Sequence, residues 1–231
     1  MKICIIGNSH AAALKLAWDG LAESDRDIEL TFFAARGPET ARYFRREGTT
    51  LLPTNKRLRT SITATSEGKD RIQIADYDAI WLCGLNVRLQ PVDASISQAV
   101  REALGHDSVA TTPLAKLVEL IRECSDIPLI ACHNPLLREP PTPEETGAVI
   151  SYDEYFAMVA DEVRKLGAVL LRQPEETFSA PIFTKAQYSI GSVRLDTGAV
   201  NSGAEHPEQE RKHMNAHFGA LVLREFIAKT R

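Results

Sequence analysis

This chain is short of cysteine, of long apolar runs and of excess basic charge, and each shortage removes a class of protein. Its four cysteines, at 4, 83, 124 and 132, include no Cys-x-x-Cys pair. Cys4, Cys83 and Cys132 stand inside apolar runs, where a free Cys packs as a small hydrophobe, so a reduced, cytoplasmic protein is the expectation. The core then rests on burial alone, and an α/β chain of 231 residues can bury about 70–75% of its unfolded surface without disulfide or metal staples. Lys and Arg number 27 against 31 Asp and Glu, a net charge of −4. That is not the basic footprint of a nucleic-acid binder. No stretch approaches the roughly 18 apolar residues of a membrane span. The run Ile3–Ile6 before Gly7 is too short for the apolar centre of a signal peptide. No membrane partner is therefore expected. Neither Gly-x-Gly-x-x-Gly nor a Walker pattern is present, which speaks against a glycine-rich phosphate cradle. With 44% hydrophobic and 25% charged residues, 13 Gly and 12 Pro, the composition is that of an ordinary soluble chain, not a disordered or collagen-like one.

What the sequence does have is alternation. Short apolar runs at Ile3–Ile6, Ile28–Ala34, Ala79–Cys83, Ile127–Cys132 and Ala168–Leu171 are separated by longer segments of helical period. The helical segments are His10–Ala22, Pro113–Cys124, Ser151–Leu166 and a last one from about Asn215 to Lys229. Ser151-x-x-Glu154 is a capping-box pattern at the start of the third. This alternation predicts an α/β fold, with a parallel sheet of about five strands covered by helices. One domain over 1–231 is expected, with a β-excursion at 49–76 and a Pro-rich loop or lid at 134–150. Residues 179–212 show no clear period.

In a parallel sheet all C-terminal strand ends share one edge, and open α/β sheets bind their ligands there. Gly7-Asn8-Ser9-His10 follows the first strand, Arg36-Gly37-Pro38 the second, Gly84-Leu85-Asn86 the third and His133-Asn134-Pro135 the fourth. Each triplet alone is ordinary turn chemistry, and Ser9 before a helix is an ordinary N-cap residue. Glu210-Arg211-Lys212-His213, just before the last helix, changes the balance. A serine nucleophile needs a base within hydrogen-bond reach, and the base needs a carboxylate beside it.

Taken together, Gly7-Asn8-Ser9-His10, Gly37, Gly84-Leu85-Asn86 and Glu210-x-x-His213 resemble, in order, the four blocks of the SGNH/GDSL hydrolases. The resemblance spans nearly the whole chain and implies a flavodoxin-like three-layer α/β/α sandwich. It implies Ser9 as nucleophile, His213 as general base and Glu210 as the acidic member. The oxyanion hole would be the Ser9 and Gly37 backbone N–H groups and the Asn86 side-chain amide. No metal and no organic cofactor is implied. The substrate would be a small-molecule ester or an acylated carbohydrate, such as one carrying an O-acetyl group. Acyl transfer in polysaccharide modification and non-catalytic glycan binding are the alternatives. Three positions depart from the family pattern: Asn8, Val87 and Glu210 each stand where an Asp is usual.

Other readings stay open at this stage. His213 and His217 are four apart and would share a helix face suited to zinc, although Asn215 as N-cap would leave His213 outside that helix. His10 is either a substrate-side group or a first-turn side chain. Arg36, Arg88 and Arg138 follow strands, where they could hold an anionic substrate or be solvated surface groups.

Overall fold

The computed structural model describes residues 1–37, 44–140 and 148–230. Along the chain run β1 (Lys2–Gly7), α1 (Ala11–Asp19), β2 (Glu29–Ala34), β3 (Phe44–Glu47) and β4 (Thr50–Pro53). They are followed by α2 (Lys56–Thr65), β5 (Ile72–Gln73), β6 (Ala79–Cys83), α3 (Gln98–Ala110) and α4 (Pro113–Arg122). The remainder is β7 (Leu129–Cys132), α5 (Tyr152–Lys165), β8 (Val169–Leu171), the short pair β9 (Phe178–Ser179) and β10 (Phe183–Thr184), and α6 (Ala216–Thr230). Five strands form one sheet in the order β2-β1-β6-β7-β8, and every neighbouring pair is parallel. Counted within that sheet the order is 2-1-3-4-5, the flavodoxin-like winding, whose ligand crevice opens between the first and third strands. Here those strands are β1 and β6.

Strict two-residue alternation along buried strands divides the core between the faces. Cys4 and Ile6 of β1, with Ile80 and Leu82 of β6, pack with α2, α4 and α5 side chains on one side. Ile3 and Ile5, with Ala79 and Trp81, pack with α1 and α6 on the other. This is a three-layer α/β/α sandwich. Gly219 of α6 lies so close to α1 that a Cβ there would stand 2.0 Å from the Ala13 carbonyl oxygen. Any side chain at 219 would therefore push apart the two helices that support the loops before and after the site. Among the described residues, no helix is long and apolar enough to cross a membrane.

Several expectations needed correction. The 49–76 excursion supplies two strands, β4 and β5, of a three-stranded antiparallel sheet that β3 completes from just before it, but Leu58–Thr65 within the excursion is helical. Asn55 caps α2 by accepting the Leu58 N–H at 2.8 Å. Leu58, Ser61, Ile62 and Thr65 form its buried face, a helical spacing that the β-branched Ile-Thr content had obscured. Helix α3 was not anticipated, because its sequence buries only Gly105 and Val109 and so shows little apolar period. Helix α1 ends at Asp19 with Gly20 as its C-cap, short of the expected Ala22; Leu16 within it faces outward, and Leu21 beyond it is exposed. The Pro-rich segment 134–150 is partly outside the described residues, at 141–147. Its first part is anchored and buried: Thr184 binds the Leu136 carbonyl through Oγ1 and the Leu137 carbonyl through its N–H.

Candidate active site

Strand β1 ends at Gly7, and the chain must turn at once into α1. Asn8 makes that turn: its Oδ1 accepts the His10 N–H at 3.0 Å, a local side-chain cap of the Asx type. Because Asn8 does the capping, the Ser9 hydroxyl is not spent on the helix end. Its Oγ lies instead 2.9 Å from Nε2 of His213, across 204 positions of sequence. With the imidazole proton on Nδ1, Nε2 accepts the Ser9 O–H.

His213 stands just before α6, as the Asn215 cap predicted: Asn215 Oδ1 accepts the Phe218 N–H at 3.2 Å. The Ser189 hydroxyl donates to the His213 carbonyl at 3.0 Å. Glu210 holds the same turn from the other side, with its two carboxylate oxygens accepting the Lys212 and His213 backbone N–H groups at 2.9 Å each. Its Oε2 is 3.3 Å from His213 Nδ1. That is close enough for charge pairing, yet the ring N–H is not aimed along the line, and Nδ1 has no hydrogen-bond partner. Glu210 therefore acts on the imidazole more through charge than through an aligned bond. Burial alone would raise its pKa, but His213 beside it and the donated backbone N–H groups outweigh burial and bring it to about 2. It is ionised at any ordinary pH.

What grips the His213 ring is aromatic. His206 stacks on one side with centroids 4.1 Å apart and planes within 7°, and His10 stacks at 4.9 Å and 27°. Burial, then the neighbouring His213, pushes His10 to about 3 and His206 to about 4, so both flanking rings are neutral. His206 was not anticipated from sequence. It lies in the 179–212 stretch without period, and a lone His-Pro carries no signal of its own. His206, Glu210 and His213 present ligand atoms within 4.8 Å of one another. A metal must lie near the plane of each imidazole it binds, however, and two parallel stacked rings share no such point. The pairing considered from sequence, His213 with His217, is not brought together: His217 is exposed on α6 with its ring against Tyr188, 5.0 Å between centroids.

The loop after β6 supplies Asn86. Gly84 is required there: its φ is +77°, and a Cβ would stand 2.7 Å from Asn8 Oδ1 and 3.1 Å from Asn134 Oδ1. Leu85 and Asn86 then both take left-handed φ, +51° and +67°, a conformation that Asn tolerates and Leu resists. Strain of this kind persists only where surrounding contacts hold it. Asn134 Oδ1 accepts the Asn86 N–H at 3.1 Å, and the Asn134 N–H donates to the Val87 carbonyl at 2.7 Å. Val87, where the family pattern has Asp, is a buried core residue. Asn134 is a second position whose role the sequence had not disclosed.

Asn8, Ser9, His10, Gly37, Asn86, Asn134 and His213 line one cavity of about 590 Å³, at the β1/β6 crevice. Among the described residues, no protein group accepts from the Ser9 N–H, the Gly37 N–H or the Asn86 side-chain amide, the Asn86 backbone N–H being the one bound to Asn134. A larger hollow, about 790 Å³, lies between α3, α4 and α5. It holds none of these residues and is the more open of the two, so the smaller cavity is the candidate site. No family model matches the chain, and neither a curated protein nor a solved structure matches it, so the chemistry of the site rests on its own geometry.

Proposed function

We propose that the protein is a serine esterase of the SGNH/GDSL kind. The observation that carries this reading is the 2.9 Å contact between Ser9 Oγ and His213 Nε2, at a cavity whose neighbouring donors are unspent. Ser9 attacks the ester carbonyl while His213 takes its proton. The oxyanion that forms is stabilised by the Ser9 and Gly37 N–H groups and the Asn86 amide. His213 then protonates the leaving alkoxide, and water repeats the sequence on the acyl-enzyme to release the acid. Glu210 stabilises the imidazolium by its charge, and His10 and His206 hold the ring in plane. No step draws on a metal or organic cofactor.

Small esters and acylated carbohydrates are the substrate classes proposed. A sugar hydroxyl can replace water at the second step, which would make the reaction an acyl transfer. Product analysis with a sugar acceptor separates the two. A cytoplasmic location belongs to the same proposal, supported by four cysteines that are all free thiols.

Fluorophosphonate, which reacts with an activated serine, tests the reading by intact mass. One adduct on wild type, absent from Ser9→Ala and His213→Ala, is the expected result. A folded wild-type protein that takes up no adduct overturns the esterase reading and directs attention to glycan binding.

A further inference from the structure

Among the described residues, the charged side chains lining the candidate site are of one sign. Arg88 and Lys212 are there, and no described carboxylate is, in a chain whose acidic residues outnumber its basic ones by 31 to 27. Arg88 lies two residues beyond Asn86, and Lys212 immediately precedes His213. One cation therefore stands beside the amide donor and the other beside the base. Among the described residues neither has a carboxylate within ion-pair distance. Many of the other cations do have one: Arg46 pairs with Glu123, Arg101 with Glu154, Arg172 with Asp153 and Arg224 with Glu176.

Glu210, next to His213, is not part of the cavity lining and is engaged with two backbone N–H groups and with His213. The other arginines noted after strands are used differently. Arg36 donates to the Val200 carbonyl at 3.1 Å and borders a separate hollow. Arg138 donates to the Glu208 carbonyl at 2.7 Å.

We propose that the ester taken by this site carries an anionic group, a carboxylate or phosphate, held by Arg88 and Lys212 while Ser9 attacks. The inference rests on the esterase reading and adds to it the charge of the substrate. Both side chains are exposed, but they stand at one partly enclosed cavity, where two like charges add their fields and low-dielectric walls reduce screening. A charge-assisted contact of this type changes affinity by about tenfold or more. The anion can sit on the acyl or the alcohol portion of the ester, and the probes below distinguish the two.

The test compares kcat/KM for 4-nitrophenyl acetate, 4-nitrophenyl hemisuccinate (acyl-side anion), 4-acetoxybenzoate (alcohol-side anion) and methyl 4-acetoxybenzoate. One anionic ester should exceed its uncharged counterpart by about tenfold or more. That ratio should fall towards unity in the Arg88→Gln/Lys212→Gln double variant, and be kept by Lys116→Gln, which removes an exposed cation on α4. Raising the salt concentration should shrink it as well. If Ser9 labels with fluorophosphonate and no anionic ester is preferred, the inference is overturned and the esterase reading stands. If Ser9 does not label and no ester is cleaved, the esterase reading fails. Calorimetry on Ser9→Ala then decides the anion site. Tighter binding of 4-acetoxybenzoate than of its methyl ester, lost in the double variant, upholds the site, and equal binding overturns it.

Discussion

Burial lowers the pKa of His133 in one region of this protein and of His10 and His206 in another, and only the second region is built to react. His133, at the end of β7, is buried to 4% exposure, and burial brings it to about 4. Both of its ring nitrogens have partners: Nδ1 is 2.6 Å from the Asn134 carbonyl, and Nε2 is 2.9 Å from the Tyr152 hydroxyl. Tyr152 also accepts the Gln173 N–H at 3.0 Å, and the Gln173 side-chain amide bonds Thr177 and Thr184, 2.9 Å each. The network is closed, as buried polar groups in a core must be.

The stack His10–His213–His206 is open by contrast. His10 Nδ1, His206 Nε2 and His213 Nδ1 are buried atoms without hydrogen-bond partners. His213 Nε2 faces a serine hydroxyl at a cavity wall. A depressed pKa therefore does not separate a histidine of the closed core from one that flanks the candidate base. The polar accounting around each ring does.

The widest separation between the two groups should come from truncation. His213→Ala should lower kcat by about 10⁴–10⁶-fold with the melting temperature nearly unchanged. His133→Ala should cost about 2–4 kcal/mol of stability in denaturant titrations, since it opens a cavity and removes a partner of Tyr152. Equal loss of stability in the two variants would erase the distinction drawn here.

Asn86→Ala comes next. Loss of one oxyanion donor lowers kcat by about 10²–10³-fold with a smaller change in KM. A change confined to KM would make Asn86 a binding residue.

The contacts around the His213 ring should count for less, and in a definite order. Glu210→Gln keeps the shape but loses the charge, and should lower kcat roughly 10–100-fold. His206→Leu removes one stacking face, and should lower kcat about 2–10-fold. The reverse order in steady-state kinetics would mean that stacking, not charge, governs the base.

The smallest signal lies in the pH dependence of stability. The folded pKa of His133 is about 4, against an ordinary value of 6.5. Between those values the unfolded chain binds a proton that the folded one does not, so stability falls as pH falls through that window. The slope for one such proton approaches 1.4 kcal/mol per pH unit, as an order of magnitude. Denaturant titrations of His133→Gln between pH 6.5 and 4 should show a shallower slope than wild type, and an unchanged slope would assign the linkage to His10 and His206.

Much of the fold was legible because it is written in local patterns. The five sheet strands follow from short apolar runs, and α1, α4, α5 and α6 from apolar spacing and from the caps Ser151 and Asn215. Helix α2 was misread because β-branched residues can serve either element, and a single Asn55 cap decided the matter. Helix α3 escaped notice because it covers little of the core. At the candidate site, Ser9, Asn86 and Gly37 could be named because each follows a strand, and parallel strands bring such positions to one edge whatever lies between them. His206 was not named because it lies in a stretch without period, although its partner His213 is only seven residues away; Asn134 follows a strand too, but its hydrogen bonds to Asn86 and Val87 join segments far apart in sequence.

The sequence by itself thus determined the α/β class, the parallel alternation and the gathering of small polar residues at one rim, all of which depend on patterns a few residues long. Only the tertiary structure decided that the Ser9 hydroxyl is left free of the helix cap and meets His213, and that His10 and His206 enclose that ring. It alone set Arg88 and Lys212 at the cavity with no carboxylate of the described residues paired to either. These are contacts between segments as much as 204 residues apart, and their geometry is set by how helices and loops pack on the sheet.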